Sequence, residues 1–213
     1  VLNVGGKGIL IAGPCRSGKT SLTLGFLREL GAKLVNEGVS LIGKESGFFH
    51  GFYLPRQVYL RFLSISQDPV LHHLLTNYDL SESPQYFDHD TLQRIIRSRA
   101  FHVDAGITVS RKTIAQIYGI NTLPLTTINQ LILTEYSDDF KLADIDFDEA
   151  LKRLRSHEFS LKGTFDRVGP QDEIKAPETS QIKDDWLEGI NCRIISFDSQ
   201  KHISPSTLEG ILG

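Results

Sequence analysis

The 213-residue chain contains no methionine, one tryptophan and only two cysteines, Cys15 and Cys192. Two cysteines cannot form the disulfide framework of a small secreted domain, so a reducing compartment fits best and we expect a cytoplasmic protein. No apolar run approaches the roughly 20 residues of a membrane-spanning helix. We also expect no signal peptide, because the first residues lack the basic segment with which signal peptides begin. Because position 1 is valine, we also expect that sequence upstream of Val1 is missing.

The chain also lacks an excess of positive charge, since its formal net charge is -3. This balance argues against a general nucleic-acid binder or a membrane-surface binder. The proportions of hydrophobic residues (40%) and charged residues (23%) are ordinary for a globular protein. At this length we predict a single domain over residues 1–213 that binds neither nucleic acid nor membrane.

One stretch carries a specific motif, because Gly13–Thr20 reads GPCRSGKT and fits G-x-x-x-x-G-K-[ST] at every fixed position. The apolar run Ile9–Ala12 before it is typical of a buried strand. The turn Gly5–Gly8, which follows the weakly alternating Val1–Val4, predicts a hairpin that leads into this strand. The segment Leu22–Leu30 after it has apolar residues four apart, which predicts an amphipathic helix that Gly31 ends. Strand, loop and helix in this order are the context that the Walker A, or P-loop, motif requires.

The chemistry of this loop points to a nucleoside triphosphate. Its backbone N–H groups can surround a phosphate, and the positive end of the following helix dipole faces the same anion. Lys19 would reach the β- and γ-phosphates, and the Thr20 hydroxyl would bind Mg²⁺. Cys15 is either a small loop residue, the simpler interpretation, or a redox-sensitive thiol. The predicted nucleotide-binding residues are Gly13, Pro14, Cys15, Arg16, Ser17, Gly18, Lys19, Thr20 and Ser21.

The segment after the first helix predicts the class of sheet. A common parallel NTPase would continue with further βα units. Here short apolar runs at Ala32–Val35, Val39–Ile42, Phe48–Tyr53 and Val58–Arg61 are separated by turns, a pattern that favours hairpins. We therefore predict an α/β protein, leaning towards α+β, with a phosphate loop in a mixed, largely antiparallel sheet flanked by helices.

The rest of the chain alternates between regular and irregular patterns. Helical spacing predicts a helical insertion at about residues 64–100, and a polar stretch predicts a flexible loop at about 163–185. The remaining predicted elements are the strands Ile128–Thr134 and Cys192–Phe197 and the helices Lys112–Tyr118, Asp148–Arg155 and Ser204–Leu212.

Taken in order, these segments resemble the catalytic domain of the HPr kinase/phosphorylase family and its small stand-alone relatives. That family shares a nucleotide-binding superfamily with phosphoenolpyruvate carboxykinase. The resemblance rests on VLNVGGKGILIAGPCRSGKT, GAKLVNEGVSLIG, FYLPRQVYLR, LPLTTINQLILTEYSDDF and CRIISFDSQKHISPSTLEGIL. It implies a phosphoenolpyruvate carboxykinase-like P-loop fold that uses ATP and Mg²⁺ to phosphorylate a serine hydroxyl. The acceptor would be a protein or a peptide, and homo-oligomerisation stays open.

The resemblance also suggests catalytic residues, with two departures from the family. The paired aspartates of the family fall on Glu37 and Gly38, so a single carboxylate remains, and glycine is usual at the position of Arg16. In this superfamily the strand before Glu37 runs beside the loop strand, so we expect Glu37 near the γ-phosphate. Glu37 would orient the metal or act as a base, with Lys19 and Arg16 neutralising charge. The alternative is that Glu37 is an exposed turn residue.

Three further residues are candidate substrate contacts because they lie on the run that the family places beside the site: His50, Arg56 and Arg61. A second basic set would either receive an acidic substrate or form a solvated helix face. Its members are Arg94, Arg97, Arg99, Arg111 and Lys112.

Three hypotheses of function follow from the sequence. The first is an ATP-dependent kinase that resembles HPr kinase. The second is a nucleotide-binding regulatory protein that has lost transfer chemistry, as the departures at Arg16 and Gly38 suggest. The third is a small-molecule kinase of the parallel P-loop class, which would require a parallel βαβ unit after Gly31.

Overall fold

The computed structural model describes residues 1–55, 57–75, 90, 106–157, 182–198 and 201–213. Several predictions from the sequence lie outside these residues. They concern Arg56, Arg94, Arg97 and Arg99, most of the helical insertion, and residues 163–181 of the polar loop.

Ten strands and six helices are described, together with one short 3₁₀ turn at Asp184–Leu187. The strands are β1 (Leu2–Val4), β2 (Lys7–Ala12), β3 (Lys33–Leu34), β4 (Leu41–Glu45), β5 (Phe48–Phe52), β6 (Val58–Arg61), β7 (Gly106–Val109), β8 (Leu125–Tyr136), β9 (Lys141–Asp144) and β10 (Asn191–Phe197). The helices are α1 (Lys19–Leu30), α2 (Phe62–Gln67), α3 (Pro69–Leu75), α4 (Arg111–Tyr118), α5 (Phe147–Arg155) and α6 (Pro205–Leu212). Among the described helices, none is long and apolar enough to cross a membrane.

Most of the strands form one mixed sheet in the order β3-β1-β2-β8-β10-β9. The first part of β8 also pairs with β5, which pairs with β4, while β6 and β7 form a separate ribbon. Among the described strands, only the β2–β8 and β8–β10 pairings are parallel. The predicted mixed, largely antiparallel sheet with flanking helices is confirmed.

The predicted hairpins are confirmed in part. The β1–β2 and β4–β5 pairs are antiparallel hairpins, as the turn residues predicted. The run Ala32–Val35, however, does not pair with Val39–Ile42, so that hairpin prediction is wrong. Strand β3 pairs with β1 instead, and its other edge is occupied because Leu34 exchanges backbone hydrogen bonds with Asn121 and Leu123. Strand β6 likewise pairs with β7 rather than with β5.

The loop strand β2 is buried on both faces of the sheet. Ile9 packs on one side with Phe26 of α1 and Leu208 of α6. Leu10 packs on the other side with Leu131 of β8 and Leu151 of α5. Burying each such side chain contributes on the order of 1.5–3 kcal/mol to folding, so the strand that carries the loop is held firmly.

Arg111 connects the start of α4 to the residue that follows β3 and to the segment that lies beside β3. Its Nη1 donates to the carbonyl oxygens of Val35, at 2.9 Å, and Leu123, at 2.8 Å. Its guanidinium carbon also lies 3.5 Å from the centre of the Tyr53 ring. The guanidinium is therefore committed to protein groups, and it fixes the backbone two residues before Glu37.

We predict that Arg111→Ala lowers the free energy of unfolding by about 2 kcal/mol, since it leaves two partly buried carbonyls without their charged donor. Urea unfolding measures the change. The neighbouring variant Lys112→Ala is the matched control and should change stability by less than about 0.5 kcal/mol. Equal losses from the two variants would contradict the role assigned to Arg111.

Candidate functional site

The loop between β2 and α1 lies at the carboxyl end of the parallel strands β2, β8 and β10, where ligands bind in many α/β sheets. The two outer glycines of the loop are required because groups of β8 and β10 lie too close to leave room for a side chain. A methyl group on Gly13 would lie 2.5 Å from the Thr134 carbonyl oxygen, and one on Gly18 would lie 2.5 Å from Cζ of Phe197. Gly18 also has a φ of +88°, a value that side chains rarely adopt. Strands β8 and β10 thus determine the shape of the loop.

Ser17 fastens the middle of the loop to β8. Its buried hydroxyl donates to the Pro14 carbonyl at 2.8 Å and lies 2.6 Å from the hydroxyl of Thr134. Both contacts hold the loop in a closed turn that faces the start of α1.

The amino end of α1 differs from those of three other helices. Helices α4, α5 and α6 begin with Ser110, Asp146 and Ser204, whose side chains accept a backbone N–H of the first turn. Helix α1 begins with Gly18, has no side-chain cap and carries no acidic residue in its first turn. Its first N–H groups are therefore left for an anion, as the motif predicts.

Lys19 lies over the loop, with Nζ donating to the carbonyl oxygens of Gly13, at 2.8 Å, and Pro14. Burial lowers the pKa of Lys19, and the positive charge of Arg61 adds to this effect while Glu37 opposes it. Lys19, Arg61 and Glu37 are thus close enough to interact electrostatically. Neutral carbonyls are weaker partners for an ammonium group than phosphate oxygens, so this arrangement can be exchanged for a phosphate.

Glu37 is brought to the first turn of α1. The Thr20 hydroxyl donates to Oε1 of Glu37 at 2.7 Å, and the Glu37 side chain is only 9% exposed. The alternative of an exposed turn residue is therefore wrong. The expected route was also wrong, because β1 lies between β3 and the loop strand β2. The turn after β3 reaches Thr20 from one strand further away.

The pair formed by Thr20 and Glu37 has the chemistry that Mg²⁺ prefers, since both supply hard oxygen ligands. Among the described residues, no group of three or more His, Cys, Asp or Glu side chains is arranged to hold a metal ion. A cation bound with a nucleotide takes phosphate oxygens and water as its other ligands, so two protein oxygens fit that use.

The loop and Glu37 line one cleft of about 580 Å³, a volume typical of ligand sites. The cleft is bordered by residues 14–21 and 37–39, and by side chains from the β6–α2 segment and the end of β8. These border side chains are Gln57, Tyr59, Arg61, Leu63, Ser64, Gln67 and Tyr136. The structure therefore brings together Arg16, Lys19, Thr20, Glu37 and Arg61.

His50 is not among the residues that line this cleft. It lies on β5 between Phe48 and Phe52, with its ring centre about 6 Å from both of theirs. Its Nδ1 contacts the Thr127 hydroxyl at 3.3 Å on the neighbouring strand. The structure thus separates His50 from Arg61, the other described member of the predicted substrate set.

The sequence did not identify Thr134, Tyr136 or Phe197 as neighbours of the loop, although they stand at the carboxyl ends of β8 and β10. It also did not identify His157, which follows α5 and whose pKa is affected by the charge of Lys19. A sequence signal existed for the strands, since both apolar runs end in polar or aromatic residues. Their parallel pairing with β2, which brings them to the loop, has no local signature.

Comparison with known proteins gives only a distant likeness to solved structures. No protein-family model and no curated protein matches the chain. Among solved structures, it is similar to the HPr(Ser) kinase/phosphatase from Coxiella burnetii. The two are 16% identical with a TM-score of 0.43, over 99% of this chain and 89% of that one. A likeness at this level assigns neither a family nor an activity.

We predict that Lys19→Ala raises the pKa of His157. Burial, followed by the positive charge of Lys19, lowers the pKa of this imidazole below its usual value. Removal of that charge makes the imidazolium form less costly, so the pKa moves upwards. An NMR titration of the histidine ring protons measures it, with His157→Gln to assign the signal and Lys112→Ala as a control. An unchanged pKa in Lys19→Ala would show that the two side chains do not interact.

Proposed function

We propose that this protein binds ATP with Mg²⁺ at the loop and transfers the γ-phosphate to a hydroxyl group, most simply a serine of a protein or peptide. The observation that carries the proposal is the contact between Thr20 and Glu37, at 2.7 Å, in the cleft that the loop lines. A carboxylate beside the Thr20 hydroxyl, the group with which the P-loop motif binds the metal ion of its nucleotide, supports the proposal.

Binding of the triphosphate follows from the geometry of the loop. The uncapped amino end of α1 offers N–H groups to the phosphate oxygens. The amine of Lys19, now on the carbonyls of Gly13 and Pro14, would move to the β- and γ-phosphates. Because Ser17 and Thr134 hold the loop in its turn, little reorganisation is needed when the nucleotide enters.

The protein has little covalent chemistry to perform in the transfer of the γ-phosphate. Its contribution is to position the reacting groups and to neutralise their charge. The acceptor oxygen forms a bond to phosphorus while the bond to the β,γ-bridging oxygen breaks, which leaves ADP. Glu37 would accept the proton of the hydroxyl or hold the metal ion with Thr20, and Arg16 and Arg61 would neutralise charge on the moving group. When bound, Mg²⁺ would supply further neutralisation of the β- and γ-oxygens.

One observation favours a second candidate function, a nucleotide-binding regulatory protein without transfer chemistry. Among the described residues that line the cleft, Glu37 is the only acidic side chain, and the second acidic position of the family is Gly38. A single carboxylate that accepts the Thr20 hydroxyl can hardly hold the metal and also remove a proton. ATP binding without transfer or hydrolysis would distinguish this candidate from the kinase.

The parallel small-molecule kinase is not supported by the topology. Strand β3, which follows α1, pairs antiparallel with β1 and not in parallel with β2. The parallel βαβ unit that this hypothesis requires after Gly31 is therefore not formed.

We predict that Glu37→Gln weakens ATP binding by less than about 1 kcal/mol and lowers transfer by roughly 10²-fold or more. The amide keeps the shape and still accepts the Thr20 hydrogen bond, but it loses the charge that a base or a metal ligand needs. Calorimetry with ATP and Mg²⁺ measures binding. Release of ADP with a pool of serine-containing peptides measures turnover.

The control for this experiment is Lys19→Ala. This substitution removes the ammonium group that would neutralise the phosphates, and it should abolish turnover. If Glu37→Gln transferred phosphate at the rate of the wild type, Glu37 would have only a structural role. Full turnover by Lys19→Ala would show that the loop is not the phosphate site.

A further inference from the structure

When the loop holds the phosphates of a nucleoside triphosphate, the base and ribose lie outside the loop. The structure has a second cavity near the loop whose side chains suit a base and a ribose. This second cavity has a volume of about 320 Å³. It lies between the β8–β9 turn and the segment that follows β10, and its lining includes Asp138, Phe140, Phe197, Asp198 and Lys201.

Two side chains join this cavity to the loop. The Phe197 ring lines the cavity and packs against Gly18, where an added methyl group would lie 2.5 Å from Cζ. Tyr136 lines the loop cleft, and its hydroxyl donates at 3.0 Å to the carboxylate of Asp138, which lines the second cavity. Tyr136 and Phe197 thus each connect a residue of one cavity with a residue of the other.

The rim between the two cavities presents aromatic rings to solvent. The Tyr136 side chain is 60% exposed and that of Phe140 is 49% exposed. Flat apolar rings of this kind provide stacking surfaces for a nucleobase, whatever its identity, because every base has a π-face. Phe140 belongs to the second cavity and Tyr136 to the loop cleft, so each of the two cavities has one exposed ring in its lining.

Hydrogen bonds hold the rim in place. The Ser137 N–H donates to the Phe197 carbonyl at 3.2 Å, and Nζ of Lys201 donates to the Asp138 carbonyl at 2.8 Å. The Lys201 N–H also donates to the Asp198 carbonyl at 2.9 Å. The two segments that form the cavity are thus tied to each other, which lowers the cost of ordering them around a ligand.

The polar groups of the cavity suit a ribose. The carboxylates of Asp138 and Asp198 can accept the hydroxyl hydrogens of a sugar, as acidic residues do in dinucleotide-binding folds. Lys201 stands in the same lining, and its positive charge offsets the repulsion between these carboxylates and a nearby phosphate.

The other cavity that adjoins the loop cleft does not offer the same surface. It meets the cleft at Gln57 and has a volume of about 690 Å³. The aromatic ring among its described lining residues is Tyr53, and the Arg111 guanidinium already lies against that ring at 3.5 Å. A base would have to displace Arg111 to stack there.

We propose that the cavity beside Phe197 is the nucleoside subsite, in which the base stacks on Tyr136 and Phe140 and a ribose hydroxyl donates to Asp138. This inference rests on the proposed function in one respect, namely that the phosphates occupy the loop. It assigns a binding site to the base and the ribose, whose contacts would add to the affinity that the phosphates provide.

The experiment compares two ligands, ATP and inorganic tripolyphosphate, each with Mg²⁺, by calorimetry on the full chain. The separate variants Tyr136→Ala and Phe140→Ala should weaken ATP binding roughly 5- to 150-fold, the loss expected for one stacking contact, and leave tripolyphosphate binding unchanged. Lys19→Ala should weaken both ligands. Phe48→Ala removes an equally exposed ring on β5 and should affect neither.

The outcomes separate this proposal from the proposed function. If ATP bound both aromatic variants as tightly as the wild type, while Lys19→Ala lost it, the subsite would be wrong and the loop assignment would stand. The subsite would also be overturned if the wild type bound tripolyphosphate as tightly as ATP, or if the aromatic variants lost both ligands equally. Failure of the wild type to bind either ligand would overturn the loop assignment and the subsite together.

Discussion

The close approach between the loop and the ends of β8 and β10 is the constraint on which the candidate site depends. Gly13 lies against Thr134 and Gly18 against Phe197, and no larger residue fits either position without displacing its neighbour. Because β2, β8 and β10 are parallel, their carboxyl ends meet at one edge of the sheet, and the burial of β2 on both faces fixes that edge. The loop therefore has its shape before any ligand is present, which favours a site for a rigid, highly charged group.

The candidate site also contains a carboxylate at the mouth of the loop, and a turn that does not adjoin the loop strand brings it there. Glu37 follows β3, the strand at one end of the sheet order, and β1 separates β3 from the loop strand. Arg111 holds the carbonyl of Val35, and Asn36 donates its side-chain amide to the carbonyl of Val39 at 2.6 Å, so the turn on either side of Glu37 is fixed. One nearly buried carboxylate thus meets Thr20, and the proposed metal-linked role of Glu37 rests on that contact.

The sequence predicted the features that depend on local patterns. The loop, helix α1 with its end at Gly31, the two hairpins and the strands β8 and β10 all follow from spacing, glycine positions and apolar runs. It could not predict which distant strands would pair. The Ser17–Thr134 contact joins residues 117 positions apart, and β3 pairs with β1 on one edge and with Asn121 and Leu123 on the other. The aromatic border formed by Tyr136 and Phe197 was missed for the same reason.

The most direct test of the account is a structure of the complete chain with Mg²⁺ and an ATP analogue that cannot be hydrolysed. The account predicts that the β- and γ-phosphates lie in the loop, that Lys19 has left the Gly13 and Pro14 carbonyls for phosphate oxygens, and that Glu37 and Thr20 face the metal ion. A Glu37 carboxylate more than about 8 Å from the γ-phosphate, beyond a direct contact or one bridging water, would contradict the catalytic role. Phosphates bound anywhere other than the loop would contradict the site itself.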